Sequence, residues 1–213
     1  MKDIVFALVL LITSPLAAGK DSTPTPSGTN VSSEMTVQSC HFKMADKFGG
    51  SILRPRAEND FKFAGYSATI TSGSKSREFG FSLGCSDGVA NANDIAAKNG
   101  ATYDAKKKKW VAYFGDVSKE DADLLRPVTR VGPLDAVNGH GFYLTQDDTD
   151  GDLPRRTRSL TYCLFHDNKA LCGHGQVMKL SDPKGNLLPY ALTILRSIEF
   201  IDTPAPAATS DKP

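Results

Sequence analysis

The chain has 213 residues, with 25 Lys and Arg against 24 Asp and Glu and a formal net charge of +1. That balance lacks the basic excess on which nucleic-acid binding ordinarily rests, so no nucleic-acid partner is expected. A hydrophobic content of 40% suits one globular domain, within the usual ~100–200 residues, that is large enough to bury a core.

Lys2 precedes an unbroken apolar run, Ile4 to Ile12, which Pro15 ends ahead of the small residues Ala17, Ala18 and Gly19. This is the pattern of a secretory signal peptide over residues 1–19, cut after Ala18 or Gly19, with Asp3 as its atypical residue. The apolar run is too short to cross a bilayer, which takes ~20 residues, and no second run of that length follows. The processed chain is therefore expected to be periplasmic or secreted, with no transmembrane segment. Lys20 stands where a bacterial lipoprotein would carry its acylated cysteine. Residues 20–36 are rich in Ser, Thr and Pro and read as a disordered linker. Within them Asn30-Val31-Ser32 is a glycosylation sequon, relevant only in a eukaryote.

Residues 37–202 read as one α+β domain, an antiparallel sheet with flanking helices. Phe61–Ile70 reads as a strand. Phe79–Cys85 alternates strictly, setting Phe79, Phe81, Leu83 and Cys85 on one face and only Gly80, Ser82 and Gly84 on the other, where another layer can come close. Between them Ser72-Gly-Ser74-Lys75 spells S-x-x-K. Its companion motifs are missing and no G-x-S-x-G elbow occurs, so a loop is the expectation there.

Asn91–Lys98 reads as a short helix stopped by Asn99-Gly100. Ala101–Phe114 follows as a hairpin with Tyr103 and Trp110 on either side of a turn where Asp104 can accept backbone hydrogen bonds. Lys106 to Lys109 at its tip would suit an anionic partner, but such runs commonly only solubilise a turn. Ser118–Leu125, with Ser118 and Asp121 placed as a capping box, is a helix ending before Pro127. Val128–Leu134 and Gly141–Gln146 are further strands.

Asp147-Asp148-Thr149-Asp150-Gly151-Asp152 invites a comparison with calcium loops, where alternate carboxylates converge on the ion and glycine allows the sharp turn. Asp148, Asp150 and Asp152 are thus candidate metal ligands. With Gly151 at the sixth position, however, Gln146 falls at the first and Thr157 at the twelfth, and Arg155, Arg156 and Arg158 follow at once. An acidic turn paired with arginines accounts for the run more simply, and no cofactor is expected.

The four cysteines are Cys40, Cys85, Cys163 and Cys172. An even number in an exported chain implies disulfides, with three connectivities open. Asp167-Asn168 suits a tight type I′ turn. A two-residue loop there sets His166 opposite Lys169, Phe165 opposite Ala170 and Cys163 opposite Cys172. The cysteines form a non-hydrogen-bonded pair with Cα atoms ~4.5 Å apart, within disulfide reach. Cys40–Cys85 follows by elimination. No C-x-x-C pair suggests zinc.

His140 and His174 each sit in a Gly-His-Gly tripeptide. Brought together they would form a polar site able to bind a metal or move protons, although histidines in glycine turns are commonly just exposed. Leu188–Ile198 places Leu188, Leu192 and Leu195 on one helical face with Pro189 in the first turn. Glu199–Ile201 can add a short edge strand, and residues 203–213 read as a disordered tail.

Two local resemblances accompany this reading. The phrase from Ala96 to Tyr113, AAKNGATYDAKKKKWVAY, is similar to a scaffold unit of small domains found beside bacterial primases and plasmid proteins, and implies no activity. An antiparallel hairpin followed by a terminal helix ending in ILRSIEF, within Tyr143–Phe200, resembles the C-terminal half of Mog1/PsbP-like proteins. That resemblance implies a sheet sandwiched by helices and a noncatalytic binding or assembly role, although the two disulfides are not part of the pattern.

No catalytic set emerges. The expected function is an exported, noncatalytic binding protein of the cell envelope: an assembly factor, inhibitor or immunity-type protein whose partner is another exported or envelope protein. The alternative is a secreted hydrolase with a dispersed site drawn from Asp148, Asp150, His140 and His174. A concave pocket in which those side chains converge would favour the enzyme, and a flat or grooved surface lined by exposed aromatics would favour the binder.

Overall fold

The computed structural model describes residues 31–54 and 63–202. Period-two alternation of apolar side chains organises nearly all of it. The elements in chain order are β1 (Val31–Val37), β2 (Cys40–Asp46), β3 (Ser51–Leu53), β4 (Ala64–Ser72), β5 (Lys75–Ser86), α1 (Ala92–Lys98), β6 (Ala101–Asp104), β7 (Lys109–Ala112), α2 (Lys119–Leu125), β8 (Thr129–Asp135), β9 (His140–Asp147), β10 (Thr157–His166), β11 (Lys169–Lys179), α3 (Leu188–Arg196) and β12 (Glu199–Phe200). The fold is α+β, with all strand pairing antiparallel.

One seven-stranded sheet runs in the order β3-β4-β5-β11-β10-β9-β8, and a second sheet runs β1-β2-β12. The main core lies between them. Phe79, Phe81 and Leu83 of β5 and Leu160, Tyr162 and Leu164 of β10 meet Phe42 and Met44 of β2 and the buried face of α3. Burying each such large apolar side chain contributes ~1.5–3 kcal/mol. α3 buries Ala191 and Ile194 as well as Leu192 and Leu195, a wider stripe than the three leucines alone. Pairing follows the expected edge strand, with Phe200 opposite Phe42. A buried polar link ties the layers: the Tyr66 hydroxyl donates to Asp46 Oδ1 at 2.7 Å. Burial, with the Asp46 carboxylate second, pushes that phenol far above its usual range.

Alternate residues of β10 point the other way, and Cys163 and Phe165 join Phe142, Leu144, Ala96 and Ala170 in a second, smaller cluster. Trp110 covers it, its ring centroid 5.0 Å from Phe142 and 5.8 Å from Phe165. The expected β6–β7 hairpin forms, and its register pairs Tyr103 with Trp110. α1 and α2 start at side-chain caps. Asn91 Oδ1 accepts from Asn93 N, and Ser118 Oγ accepts from Asp121 N; such a cap is worth ~1 kcal/mol. Gly100, at φ +79°, takes the chain out of α1 in a conformation few other residues adopt.

Both disulfides have the expected partners: Cys163–Cys172 with Cα atoms 4.1 Å apart and Cys40–Cys85 at 5.8 Å. The hairpin register is the expected one at all three pairs. The bend itself departs from expectation: only Asp167 has positive φ (+50°), so it is not a type I′ turn, which needs two such residues. The linker is also corrected. Residues 31–36, read as its end, belong to β1, where Met35 and Val37 are buried against the core. Their strand signal is diluted by Ser32, Ser33 and Glu34, which sit outermost on an edge strand. The signal peptide, residues 20–30, Phe61 and the 203–213 tail lie outside the described residues.

Candidate binding cleft

A β-bulge opens a cleft beside β11. β11 pairs with β5 from Ala170 opposite Ser86 to Gln176 opposite Gly80, and there the pairing ends. On the other side of β11, Ser159 faces Gln176 but Arg158 faces Met178, so Val177 is the extra residue. A bulge bends and twists its strand and ends pairing beyond it. β5 runs on to Lys75 alongside β4, while β11 runs on to Lys179 alongside β10. The two arms fork.

The segment after β11 plugs the fork. Leu187 N donates to the Val177 carbonyl at 2.7 Å. Arg77 donates from Nε (2.9 Å) and Nη2 (2.8 Å) to Asp182 Oδ2. The guanidinium lies so close over Gly185 that a Cβ there would be 2.4 Å from Arg77 Nε. The cleft that remains measures about 670 Å³ and is lined by Lys75, Arg77, Lys179, Gln176, Thr157 and Asp182, among others. Of its charged groups, Lys75, Arg77 and Lys179 outnumber Glu78 and Asp182. The Arg77 hydrogen bond holds the Asp182 carboxyl below its ordinary value, against the opposing effect of desolvation and with help from the positive charges of Arg77 and Lys75. Among the described residues Lys75 and Lys179 form no ion pair, which leaves two cations facing the opening.

Sequence reasoning placed only Ser74 and Lys75 here, as part of a loop. Ser72 and Lys75 do face each other across the β4–β5 turn, and both are exposed. The decisive residues, Arg77, Lys179 and Asp182, carried no local signal. Only a bulge 100 residues downstream of Arg77 brings them together.

The acidic run does not form the calcium loop. Asp147 is forked by Arg158. Asp148 Oδ2 accepts from Thr157 N at 2.7 Å and Thr157 Oγ1 at 2.9 Å, Asp150 Oδ1 accepts from Gly151 N, and Asp152 approaches Arg155. The candidate ligands Asp148, Asp150 and Asp152 fasten the β9–β10 connection, in keeping with the simpler reading of an acidic turn beside arginines, and are not among the ligand atoms that converge. Among the described residues, the group of three ligand atoms within 4.8 Å of one another is His166, Asp167 and Asp202.

The two histidines do not meet either. His140 faces Phe165, which faces Ala170, whereas His174 lies four residues further along β11. At ~3.3 Å per residue that is ~13 Å along the sheet and two strands across it. His174 instead belongs to a stitch in the sheet. β11–β5 pairing skips Gly173 and His174, and Ser82 fills in: its Oγ accepts from His174 N at 3.1 Å and lies 3.2 Å from Nδ1. The buried Tyr162 hydroxyl donates to the Ser82 carbonyl at 2.7 Å. The serine oxygen is committed to backbone repair, which is a poor arrangement for a nucleophile. At the β6–β7 tip, Asp104 accepts from Lys106 N and Lys107 N. Those bonds, with the Lys107 ammonium, hold its carboxyl low.

No known protein family matches this sequence, and no curated protein matches it. Two disulfides fit a chain that folds outside the reducing cytoplasm. Among the described residues no helix is long and apolar enough to cross a membrane.

Proposed function

We propose that the protein is an exported, noncatalytic binding protein of the periplasm or outer environment, acting by recognition of another exported or envelope protein. The observation that carries this is the bulge-opened cleft. It presents two lysines on a scaffold braced by Arg77–Asp182 and by the Cys163–Cys172 hairpin, and none of Asp148, Asp150, His140 and His174 is among its lining residues. A charged groove on rigid arms favours steering and docking of an acidic surface. The resemblance of Tyr143–Phe200 to Mog1/PsbP-like proteins points the same way. The test is photo-crosslinking from Gln176, on the cleft wall, in envelopes of the native host. One defined protein adduct is expected, and Lys75→Glu with Lys179→Glu should reduce its yield at least tenfold. Adduct formation indifferent to both reversals would overturn the proposal.

A further inference from the structure

His166 ends β10, Asp167 begins the bend after it, and Asp202 follows β12. The imidazole is fixed from several sides. Its ring stacks on Phe200 with centroids 4.9 Å apart and planes 8° from parallel. Nδ1 lies 2.8 Å from the Asn138 carbonyl. A carbonyl can only accept, so Nδ1 carries the hydrogen and donates it. Asn138 is itself anchored at both ends of its side-chain amide, donating to the Phe200 carbonyl and accepting from Phe200 N. Nε2 is then aimed at two carboxylates, Asp202 Oδ1 at 2.9 Å and Asp167 Oδ2 at 3.7 Å.

This is how a metal-binding histidine is held: one nitrogen tied to a backbone carbonyl, the other directed at the remaining ligands. Zinc bonds to imidazole nitrogen and carboxylate oxygen are ~2.0–2.2 Å, so tetrahedral ligand atoms stand about 3.4 Å apart. The two distances to Nε2 bracket that value, so side-chain adjustments of about half an ångström would suffice. The histidine is mostly buried while both aspartates are open to solvent, which gives an ion a way in and leaves room for water as a fourth ligand.

We infer that His166 Nε2, Asp167 and Asp202 form a zinc-binding site that clasps the end of the last strand to the tip of the cysteine hairpin. The electrostatics agree. Two carboxylate oxygens, Asp202 Oδ1 and Asp167 Oδ2, stand 2.9 Å and 3.7 Å from Nε2. The position favours a cation, and zinc would take the place of the Nε2 proton, which leaves to solvent.

The test is calorimetric titration of the purified, metal-free full chain with zinc chloride, followed by imidazole ¹⁵N NMR. One zinc per chain is expected, with the Nε2 resonance of His166 shifting. Asp202→Asn and Asp167→Asn, both at exposed positions, should each weaken binding about tenfold or more, within the range seen for perturbing metal-site residues. His166→Gln should remove it. Should His166→Gln unfold, the two aspartate variants carry the test, since both positions are exposed and their metal-free melting temperatures should fall only slightly. Absence of saturable binding, unchanged affinity in both aspartate variants, or a shift at His41, His140 or His174 instead of His166 would overturn the inference.

Discussion

The β10–β11 hairpin is closed at one end and open at the other. At the closed end a two-residue bend, the Cys163–Cys172 bond and flush pairing of β11 with β5 hold three strands together. At the open end Val177 bulges, β11 leaves β5, and a charged side chain takes over the bracing that backbone bonds supplied before. A covalent cross-link and strand pairing on both sides of β11 give stiffness, while a bulge gives a cavity walled by side chains from strands that no longer pair. Stability should concentrate at the first end and binding at the second.

Cutting the closed end should have the larger effect. Replacing both cysteines, Cys163→Ala with Cys172→Ala, should lower unfolding free energy in urea by ~3 kcal/mol on the chain-entropy account of a short loop. Binding at the cleft should persist in the folded fraction. Gly185→Ala at the open end should do the reverse. The new methyl displaces the Arg77 guanidinium, an adjustable side chain, so stability should fall by only ~1 kcal/mol. The crosslink yield from Gln176 should nevertheless drop severalfold. Equal stability losses in the two variants would erase the distinction between the ends.

The same contrast explains what the sequence disclosed. The closed end is local: spacing around Asp167-Asn168 sets the register, and the register sets the disulfide, so both could be read from ten residues. The turn type could not, because φ at Asn168 responds to surroundings such as the bond from Val89 N to its carbonyl. The open end is non-local. The apolar pattern of β11 reads through Val177 without marking it as an extra residue, and Arg77 and Asp182 meet across 105 positions. His166 was legible as a strand end facing Lys169. Its other partners, Asn138 and Asp202, come from segments whose approach depends on how β8–β9 and β12 pack. β1 was missed for a simpler reason: an edge strand needs only Met35 and Val37 inside, too few apolar residues to stand out from a Ser-rich run.

The smallest expected effect is the pH dependence that Asp182 contributes at the open end. Asp182 has its carboxyl pKa lowered in the folded state, first by the Arg77 hydrogen bond and then by the charges of Arg77 and Lys75. A depressed folded pKa favours folding wherever the unfolded carboxyl is ionised, above ~3.9. That contribution is lost as pH falls from there through the lower folded value. Asp182→Asn keeps an acceptor for Arg77 but removes the charge. The stability difference between wild type and this variant should thus be constant near neutrality and shrink below about pH 4. Asp104, also depressed, titrates in both proteins and cancels. Urea midpoints at pH 7, 5, 4 and 3 would measure the difference directly. A gap that stayed constant down to pH 3 would mean that Asp182 braces the fork by shape and hydrogen bonding alone, and that its charge contributes nothing to holding the arms apart.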